Sequence, residues 1–486
     1  MQKQFKILKQ LNKHKNETFI ISDNGEISYH LLYKIILLQF TIFEKNKIKK
    51  NDYVCIAGSN SPEYVVIFLS LIFYGAIAVP IDHCLPIKTM NKILTGLKCT
   101  YLYYDAANIN LKNLHEDILS YPLNEVDITE KGSVSLQKDI FPINAEKICN
   151  ILFTSGSTDT PKGVIHSINN HIYSALGSNL NIEFQTGDRW LLSLPLFHVG
   201  GIAILFRALV SGGTVVIPKN RKISLTALKK FCVTHLSLVP TQLYRLIGLI
   251  DDSDESLDLK SLLIGGDRVN RPLFDKAMKL KLPLFLSYGS TEMSSQITAT
   301  KCMDEKNNVI SYGKPLMHRE LMISSSGNVL VKGQTLFNGY IDELGIAQKF
   351  DREEWFNTGD IGRIDDSGNL IILGRKDNML ILGGENICPE EIESCLEKIN
   401  LVQKAVVVPI TDFEFGCIAV AFVQTDCTTK IDKGSFDLIL KQSLPKYKWP
   451  KYYFKFPNSS NSLKINRKEL QQLAVELISE YTKKFK

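Results

Sequence analysis

A run of small hydroxyl residues and glycine, Thr154-Ser155-Gly156-Ser157-Thr158-Asp159-Thr160-Pro161-Lys162-Gly163, follows directly on the apolar stretch Ile148–Phe153. Side chains this small let backbone N–H groups approach an anion, and Lys162 adds a mobile positive charge, so the loop is suited to phosphate. The same composition also describes an ordinary surface turn. It is not the nucleotide loop GxxxxGK[ST], and no GxGxxG follows a strand in this chain. There is also no GxSxG elbow and no HExxH pair, which argues against a serine hydrolase or a zinc peptidase. The ten cysteines include no CxxC pair, so neither a zinc knuckle nor a dithiol redox centre is indicated. Scattered thiols of this kind read as small, reduced hydrophobes of a cytosolic protein.

The loop needs a scaffold, and the remaining sequence has the texture of one. The 486 residues correspond to roughly three domains at ~150 residues each, or one large unit with a smaller one. Hydrophobic residues at 44% and charged residues at 22% are ordinary for a globular chain and exclude a disordered one. A net charge of +6 over this length is weak evidence for a nucleic-acid partner, which needs clustered positive charge. The amino terminus lacks the apolar core of a secretion signal. Tyr64–Ile81 is apolar enough to require a membrane test, but Gly75 and Pro80 interrupt it and acidic residues flank it. A buried helix up to Tyr74 followed by a core strand from Ala76 to Val79 accounts for it better.

Apolar runs rich in β-formers alternate with helical stretches through most of the chain. The runs include Tyr53–Ala57, Thr100–Tyr104, Arg189–Ser193, Thr214–Ile217, His235–Val239 and Ser261–Ile264, with helices over Ser167–Asn181 and Thr241–Ile250. Such alternation predicts an α/β fold with mainly parallel sheets flanked by helices. After Gly313 the strands become shorter and alternate in polarity, with a hairpin turn at Asp365-Asp366-Ser367-Gly368. From Arg375 a compact α+β tail begins, with a helix from Pro389 to Lys398 and strands over Ala405–Pro409 and Ile418–Gln424.

Further chemistry-bearing segments follow the phosphate-type loop in order. They are Tyr288-Gly289-Ser290-Thr291-Glu292, Thr358-Gly359-Asp360, Gly374-Arg375-Lys376-Asp377, Gly383-Gly384-Glu385-Asn386-Ile387, and Lys464 within Leu463–Leu470. Each alone is a weak signal. Together with the loop they resemble, in type and order, the motifs of the adenylate-forming superfamily of acyl-CoA synthetases, nonribosomal adenylation domains and luciferases. The resemblance covers the chain from about residue 152 to residue 470.

That resemblance implies a large domain over residues 1–374 carrying a β-barrel-like subdomain, a hinge at 375–377, and a small mobile domain over 378–486. It also implies the reaction: a carboxylate attacks the α-phosphorus of ATP, pyrophosphate leaves, and a thiol such as that of coenzyme A then displaces AMP. Two anions must meet, so the catalyst must supply positive charge and positioning. By resemblance, Thr154, Ser155, Gly156, Ser157, Thr158 and Lys162 hold the β- and γ-phosphates. Thr291 donates to a phosphate, and Glu292 carries Mg²⁺, although an ordinary loop salt bridge is the plainer reading of that carboxylate. Tyr288 forms a wall for the adenine, and Gly265-Gly266 frame it or simply make a turn. Asp360 accepts from both ribose hydroxyls, with Arg375 nearby. Lys464 offsets the repulsion between carboxylate and α-phosphate, then leaves as the small domain rotates about Asp377. That rotation brings Gly383 and Gly384 to the thiol channel. Two positions depart from the family pattern. Asp159 stands where glycine is usual, pointing either outward in a turn or inward toward the phosphates, and Leu463 replaces the usual glycine before Lys464.

The acid is indicated by three stretches, Leu194–Leu209, Val239–Arg245 and Ser287–Ile297, which resemble those of the o-succinylbenzoate–CoA ligases of menaquinone synthesis. That substrate has an aromatic ring and a second carboxylate, so its pocket needs apolar walls and a cation. His198, beside Phe197 and Val199, is expected in the wall and among the catalytic candidates, and Gln296 among the substrate residues. Arg207, embedded in Leu205-Phe206-Arg207-Ala208-Leu209, is either the required cation or half of a buried ion pair. The expected partners are therefore a small carboxylic acid, ATP and coenzyme A, with self-association left open. A fatty or aryl acyl-CoA ligase, a stand-alone enzyme loading a carrier protein, and a non-catalytic binding protein are the competing readings.

Overall fold

The computed structural model describes residues 11, 13–107, 109, 114–129, 144–154, 162–251, 257–302, 310–342, 347–351, 353–382, 385–399, 402–412, 416–425, 433–444, 446–457 and 467–484. Two mixed sheets frame the larger part of the chain. The nine-stranded sheet runs in the order Lys314–Pro315, Ser295–Lys301, Leu284–Ser290, Ser261–Ile264, His235–Leu238, Arg189–Leu191, Thr214–Ile217, Thr18–Ser22, Gly25–Ser28. Its centre is parallel, from Leu284–Ser290 to Thr18–Ser22, and its margins are antiparallel. The eight-stranded sheet places Ala347–Lys349, Gly339–Ile341, Lys162–Ser167 and Ile148–Thr154 beside Ile77–Ile81, Tyr53–Ala57, Tyr101–Tyr104 and Leu119–Pro122. It is parallel from Ile148–Thr154 onward and antiparallel before it.

The expected α/β alternation is present, and the principal core shows why it folds this way. Residues of both sheets meet helices Tyr29–Lys45, Pro62–Tyr74, Ile168–Ile182 and Val199–Ser211 in one hydrophobic cluster. Helix Pro62–Tyr74 is buried on every side, which its uniformly apolar composition requires. Ser61 caps its start by accepting from the Tyr64 amide, and Pro62 needs no N–H there. Gly75 ends it at φ +96°, a left-handed conformation costly for any residue with a Cβ, and the chain enters strand Ile77–Ile81. The apolar stretch that required a membrane test is thus a core helix and strand. Among the described residues no helix is long and apolar enough to cross a membrane.

The barrel-like subdomain takes the form of a four-stranded antiparallel sheet of Arg319–Ile323, Asn328–Gly333, Phe356–Ile364 and Leu370–Arg375. Val329, Val331 and Leu370 share a cluster with Val164, Met293 and Ile297, so this sheet is packed against the ends of both large ones. Its last hairpin turns at Asp365–Gly368. The Asp365 carboxylate accepts from the amides of Ser367 (3.0 Å) and Asn369 (2.8 Å), and Gly368 sits at φ +83°. From Leu380 onward the chain builds two hydrophobic clusters of its own, around the sheet Val402–Asp412, Gly416–Thr425, Tyr452–Lys455 and helices Pro389–Leu396, Lys433–Ser443 and Arg467–Lys484.

Close packing of the strands that leave and enter the phosphate-type loop makes one consequence measurable. A Cβ on Gly163 would lie 2.6 Å from Ile151 Cγ2 and 2.7 Å from Ile341 Cγ2. Gly163→Ala is therefore expected to cost about 1–3 kcal/mol of stability through overpacking. The midpoint of chemical denaturation measures this; an unchanged midpoint would show that the strands have room to separate.

Candidate active site

The phosphate-type loop is the connection of an antiparallel hairpin, because Thr154 and Lys162 are register partners in neighbouring strands. The Thr154 hydroxyl donates to the Lys162 carbonyl at 3.4 Å, closing the neck of the loop. Ser155, Gly156, Ser157 and Thr158, with Asp159, lie outside the described residues, as do Gly383, Gly384, Leu463 and Lys464. The structure places Lys162 Nζ 5.8 Å from the centroid of the Tyr340 ring.

Thr291 and Glu292 occupy the tight connection between strands Leu284–Ser290 and Ser295–Lys301. The turn holds two non-glycine residues at positive φ, Ser294 at +53° and Ser295 at +104°. Such backbone costs on the order of 1–3 kcal/mol per residue and persists only when the surroundings enforce it. Here they do. Ser294 donates to Thr335 O (2.9 Å) and accepts at its carbonyl from Ser174 (2.6 Å), while His166 Nε2 bonds the Thr291 carbonyl at 2.7 Å. The Phe337 amide donates to Glu292 O at 2.8 Å, and the Tyr340 hydroxyl donates to Glu292 Oε1 at 2.8 Å. Among the described residues no cation forms a salt bridge with Glu292. The plain alternative for this residue, a loop salt bridge, therefore has no partner among the described residues.

Beside this turn stands a second group. Tyr288 donates its hydroxyl to Asp360 Oδ2 at 2.6 Å, Arg375 Nε lies 3.4 Å from Asp360 Oδ1, and Arg375 Nη2 lies 3.7 Å from Asp377. Burial pushes the Asp360 carboxyl up, while the Tyr288 hydroxyl and Arg375 pull it back. Burial and the adjacent Asp360 carboxylate raise the Tyr288 phenol well above its ordinary range. Four residues from three separate motifs thus form one chain of contacts, which sequence spacing alone did not reveal. The Gly265-Gly266 turn follows strand Ser261–Ile264, with Gly266 at φ +82°. A Cβ on Gly265 would meet Ser287 Oγ at 2.7 Å, so the turn lies against the strand that delivers Tyr288.

The third group is buried. Arg207 is 1% exposed and its guanidinium carbon lies 4.8 Å from the Trp190 ring centroid. Its Nε donates to Ser178 Oγ at 2.8 Å and its Nη2 to Gln296 Oε1 at 2.9 Å. Ser178 also donates to Gln296 Oε1, at 2.6 Å. Arg207 Nη1 and Gln296 Nε2 are buried donors with no partner among the described residues. Among the described residues no carboxylate forms a salt bridge with Arg207, so the buried ion pair has no partner there. Burial lowers the guanidinium to about 9, still protonated at neutral pH. Arg319 stands nearby, donating to Gln296 O (2.5 Å), Met317 O (2.8 Å) and Ser174 O and Oγ (both 3.1 Å), also without an acid. His198 is exposed at the N-terminus of helix Val199–Ser211, with its ring 4.6 Å from that of Phe197. It shares that helix with Arg207, nine residues on, which at 1.5 Å per residue separates them by about 14 Å.

The phosphate end and the buried end are joined by one hairpin: Glu292 is in its turn and Gln296 on the strand that follows. Sequence reasoning did not single out Tyr340, Arg319 or His166. Each acts through a contact more than twenty residues distant, so no local spacing signals it. It also missed Arg268, which reaches from the Gly265-Gly266-Asp267 turn to helix Pro389–Leu396. Arg268 bonds Glu397 Oε2 (2.7 Å), Glu390 O (3.1 Å) and Ser394, and Asn270 adds a bond to Gln403 O at 2.7 Å.

The model of the family described as AMP-binding enzyme matches residues 7–341. The chain belongs to the AMP-binding enzyme family. Among curated relatives, the 2-succinylbenzoate–CoA ligase of Bacillus pumilus is 32% identical over 439 residues, covering 87% of this chain and 88% of that protein. Among solved structures, the o-succinylbenzoate CoA synthetase of Bacillus subtilis with the acyl-adenylate intermediate OSB-AMP superposes with a TM-score of 0.82 at 26% identity, covering 96% and 98% of the two chains. The same B. subtilis enzyme with ATP and magnesium ion gives 0.80 at 26% identity, covering 94% and 97%. The α/β architecture, with its large two-sheet unit and small terminal unit, is that of the adenylate-forming enzymes in this family.

Proposed function

We propose that this chain is a 2-succinylbenzoate–CoA ligase acting in the cytoplasm. It activates one carboxylate of the acid with ATP and transfers the acyl group to coenzyme A. The observation that carries the choice of acid is Arg207, a buried cation without an acidic partner among the described residues, whose own Nη1 and the neighbouring Gln296 Nε2 are unpartnered donors there. A desolvated charge of this kind is costly unless an anion completes it. The second carboxylate of a succinylbenzoate is such an anion, and a fatty acid offers none. The buried cation therefore disfavours a wholly apolar acid tunnel.

The mechanism follows from charge. Thr154, Ser155, Gly156, Ser157, Thr158 and Lys162 receive the β- and γ-phosphates, while Asp360, paired with Tyr288 and Arg375, presents carboxylate oxygen to the ribose hydroxyls. Glu292 keeps one carboxylate oxygen without a partner among the described residues, which suits a hard cation that prefers oxygen ligands. Magnesium held there would neutralise phosphate charge. Thr291 supplies a hydroxyl to the phosphates, and His198 with Phe197 borders the entry for the acid. Lys464 is assigned the role of the ammonium that offsets the repulsion of the two anions, the attacking carboxylate and the α-phosphate. The carboxylate oxygen bonds to the α-phosphorus as the bond to pyrophosphate breaks. The thiol then attacks the acyl carbon and AMP leaves with that oxygen.

Lys464 blocks the approach of the thiol, so the unit over 378–486 turns about residues 375–377, with Asp377 as the pivot, before the second step. Gly383 and Gly384 then line the thiol channel. The pairing of Arg375 with both Asp360 and Asp377 supports that reading, since it ties the nucleotide group to the pivot. Pyrophosphate release measured over a panel of carboxylates, with and without coenzyme A, tests the proposal. Release is expected with 2-succinylbenzoate at least tenfold above fatty and simple aryl acids, about the effect of one charged hydrogen bond. Preference for a fatty acid would contradict it.

A further inference from the structure

We infer that Tyr340 is a positioning residue for the Glu292 carboxylate, setting it to receive the metal; this rests on the ligase reading above and on the role given there to Glu292. Tyr340 lies in strand Gly339–Ile341, which pairs antiparallel with Lys162–Ser167 and puts Tyr340 opposite Val164. That register delivers its hydroxyl across the sheet to Glu292 Oε1 at 2.8 Å. The same segment holds Glu292 a second time, through the Phe337 amide on the Glu292 carbonyl at 2.8 Å. Phe337 in turn packs edge-on against Tyr340, with ring centroids 4.7 Å apart, and fixes where the phenol points.

The consequence for the carboxylate is geometric. One oxygen is occupied by a neutral donor and the other has no partner among the described residues. The Lys162 ammonium stands 5.8 Å from the centroid of the Tyr340 ring. Without the hydroxyl, a carboxylate on three rotatable bonds loses the side-chain contact that fixes Oε1, and with it the set direction of its second oxygen. Tyr340 holds it open.

Tyr340→Phe removes the hydroxyl and keeps the ring packing. Mn²⁺ binding to the enzyme with a non-hydrolysable ATP analogue, followed by electron paramagnetic resonance, is expected to weaken about 10- to 100-fold, the usual effect of losing a group that orients a metal ligand. The Mg²⁺ concentration giving half-maximal pyrophosphate release is expected to rise in parallel, with the rate at saturating Mg²⁺ within about threefold of the parent. Unchanged Mn²⁺ affinity, or a rate lowered equally at every Mg²⁺ concentration, would overturn the inference. Glu292→Gln separates the two levels. If it weakens Mn²⁺ binding and Tyr340→Phe does not, the tyrosine's role alone fails. If neither does, the metal role of Glu292 falls as well.

Discussion

Lys464→Ala is expected to slow acyl-adenylate formation by about 10²- to 10³-fold, the usual effect of removing one preorganised charge-stabilising group. Conversion of supplied acyl-adenylate to the thioester is expected to stay within a fewfold of the parent. The asymmetry is the informative part. The first step brings a carboxylate against a phosphate and needs a cation between them; the second joins a thiol to an already activated acyl carbon and does not. The helix that begins three residues after this lysine is anchored. Arg467, three residues on, bonds Glu393 (2.6 and 3.1 Å), Glu390 (3.3 Å) and Val407 O (2.7 Å). The start of helix Arg467–Lys484 is thereby fixed to the acidic face of helix Pro389–Leu396. Single-turnover measurement of each half-reaction decides the matter. Equal loss in both would remove Lys464 from its assigned role.

Arg207→Met is expected to raise KM for 2-succinylbenzoate by about 10- to 150-fold, the equivalent of about 1.5–3 kcal/mol for a charge-assisted hydrogen bond. Methionine keeps an apolar stem against Trp190, so the packing survives better than with alanine. For an analogue lacking the second carboxylate, parent and variant are expected to have the same KM, because neither can make the contact. A rise for both acids alike would mean that Arg207 only shapes the pocket through Ser178 and Gln296. No rise for either would remove it from substrate recognition.

Some of this molecule was legible in the sequence because its physics is local. Thr214–Ile217 and Ser261–Ile264 read correctly to the residue, being buried runs bounded by turn signals. The helix before Gly75 and the strand after it were also clear, since a left-handed glycine and a proline at the first helical position mark their ends. The strand Phe356–Ile364 has no regular alternation to announce it. Its first half contains Thr358-Gly359-Asp360, where Gly359 at φ +77° and a register shift between Ile361 and Gly362 interrupt the regular alternation.

The contacts that organise the site were not legible, because they join residues far apart in the chain. Nothing near Tyr340 announces Glu292, and nothing near Arg319 announces Gln296. Arg207 was visible as an anomaly, a charge inside an apolar helix, but the sequence could not say whether a carboxylate accompanied it. Packing supplies the described neighbours: Ser178, Gln296 and Trp190 contact the guanidinium, and none of them is acidic.

The central claim is that a carboxylate oxygen of the acid attacks the α-phosphorus of ATP. It is tested most directly with 2-succinylbenzoate carrying ¹⁸O in its carboxyl groups, with ATP, Mg²⁺ and coenzyme A, and mass analysis of the nucleotide and phosphate products. The account predicts one ¹⁸O atom in each AMP formed and none in pyrophosphate. Label in pyrophosphate or inorganic phosphate, or AMP without label, would contradict it.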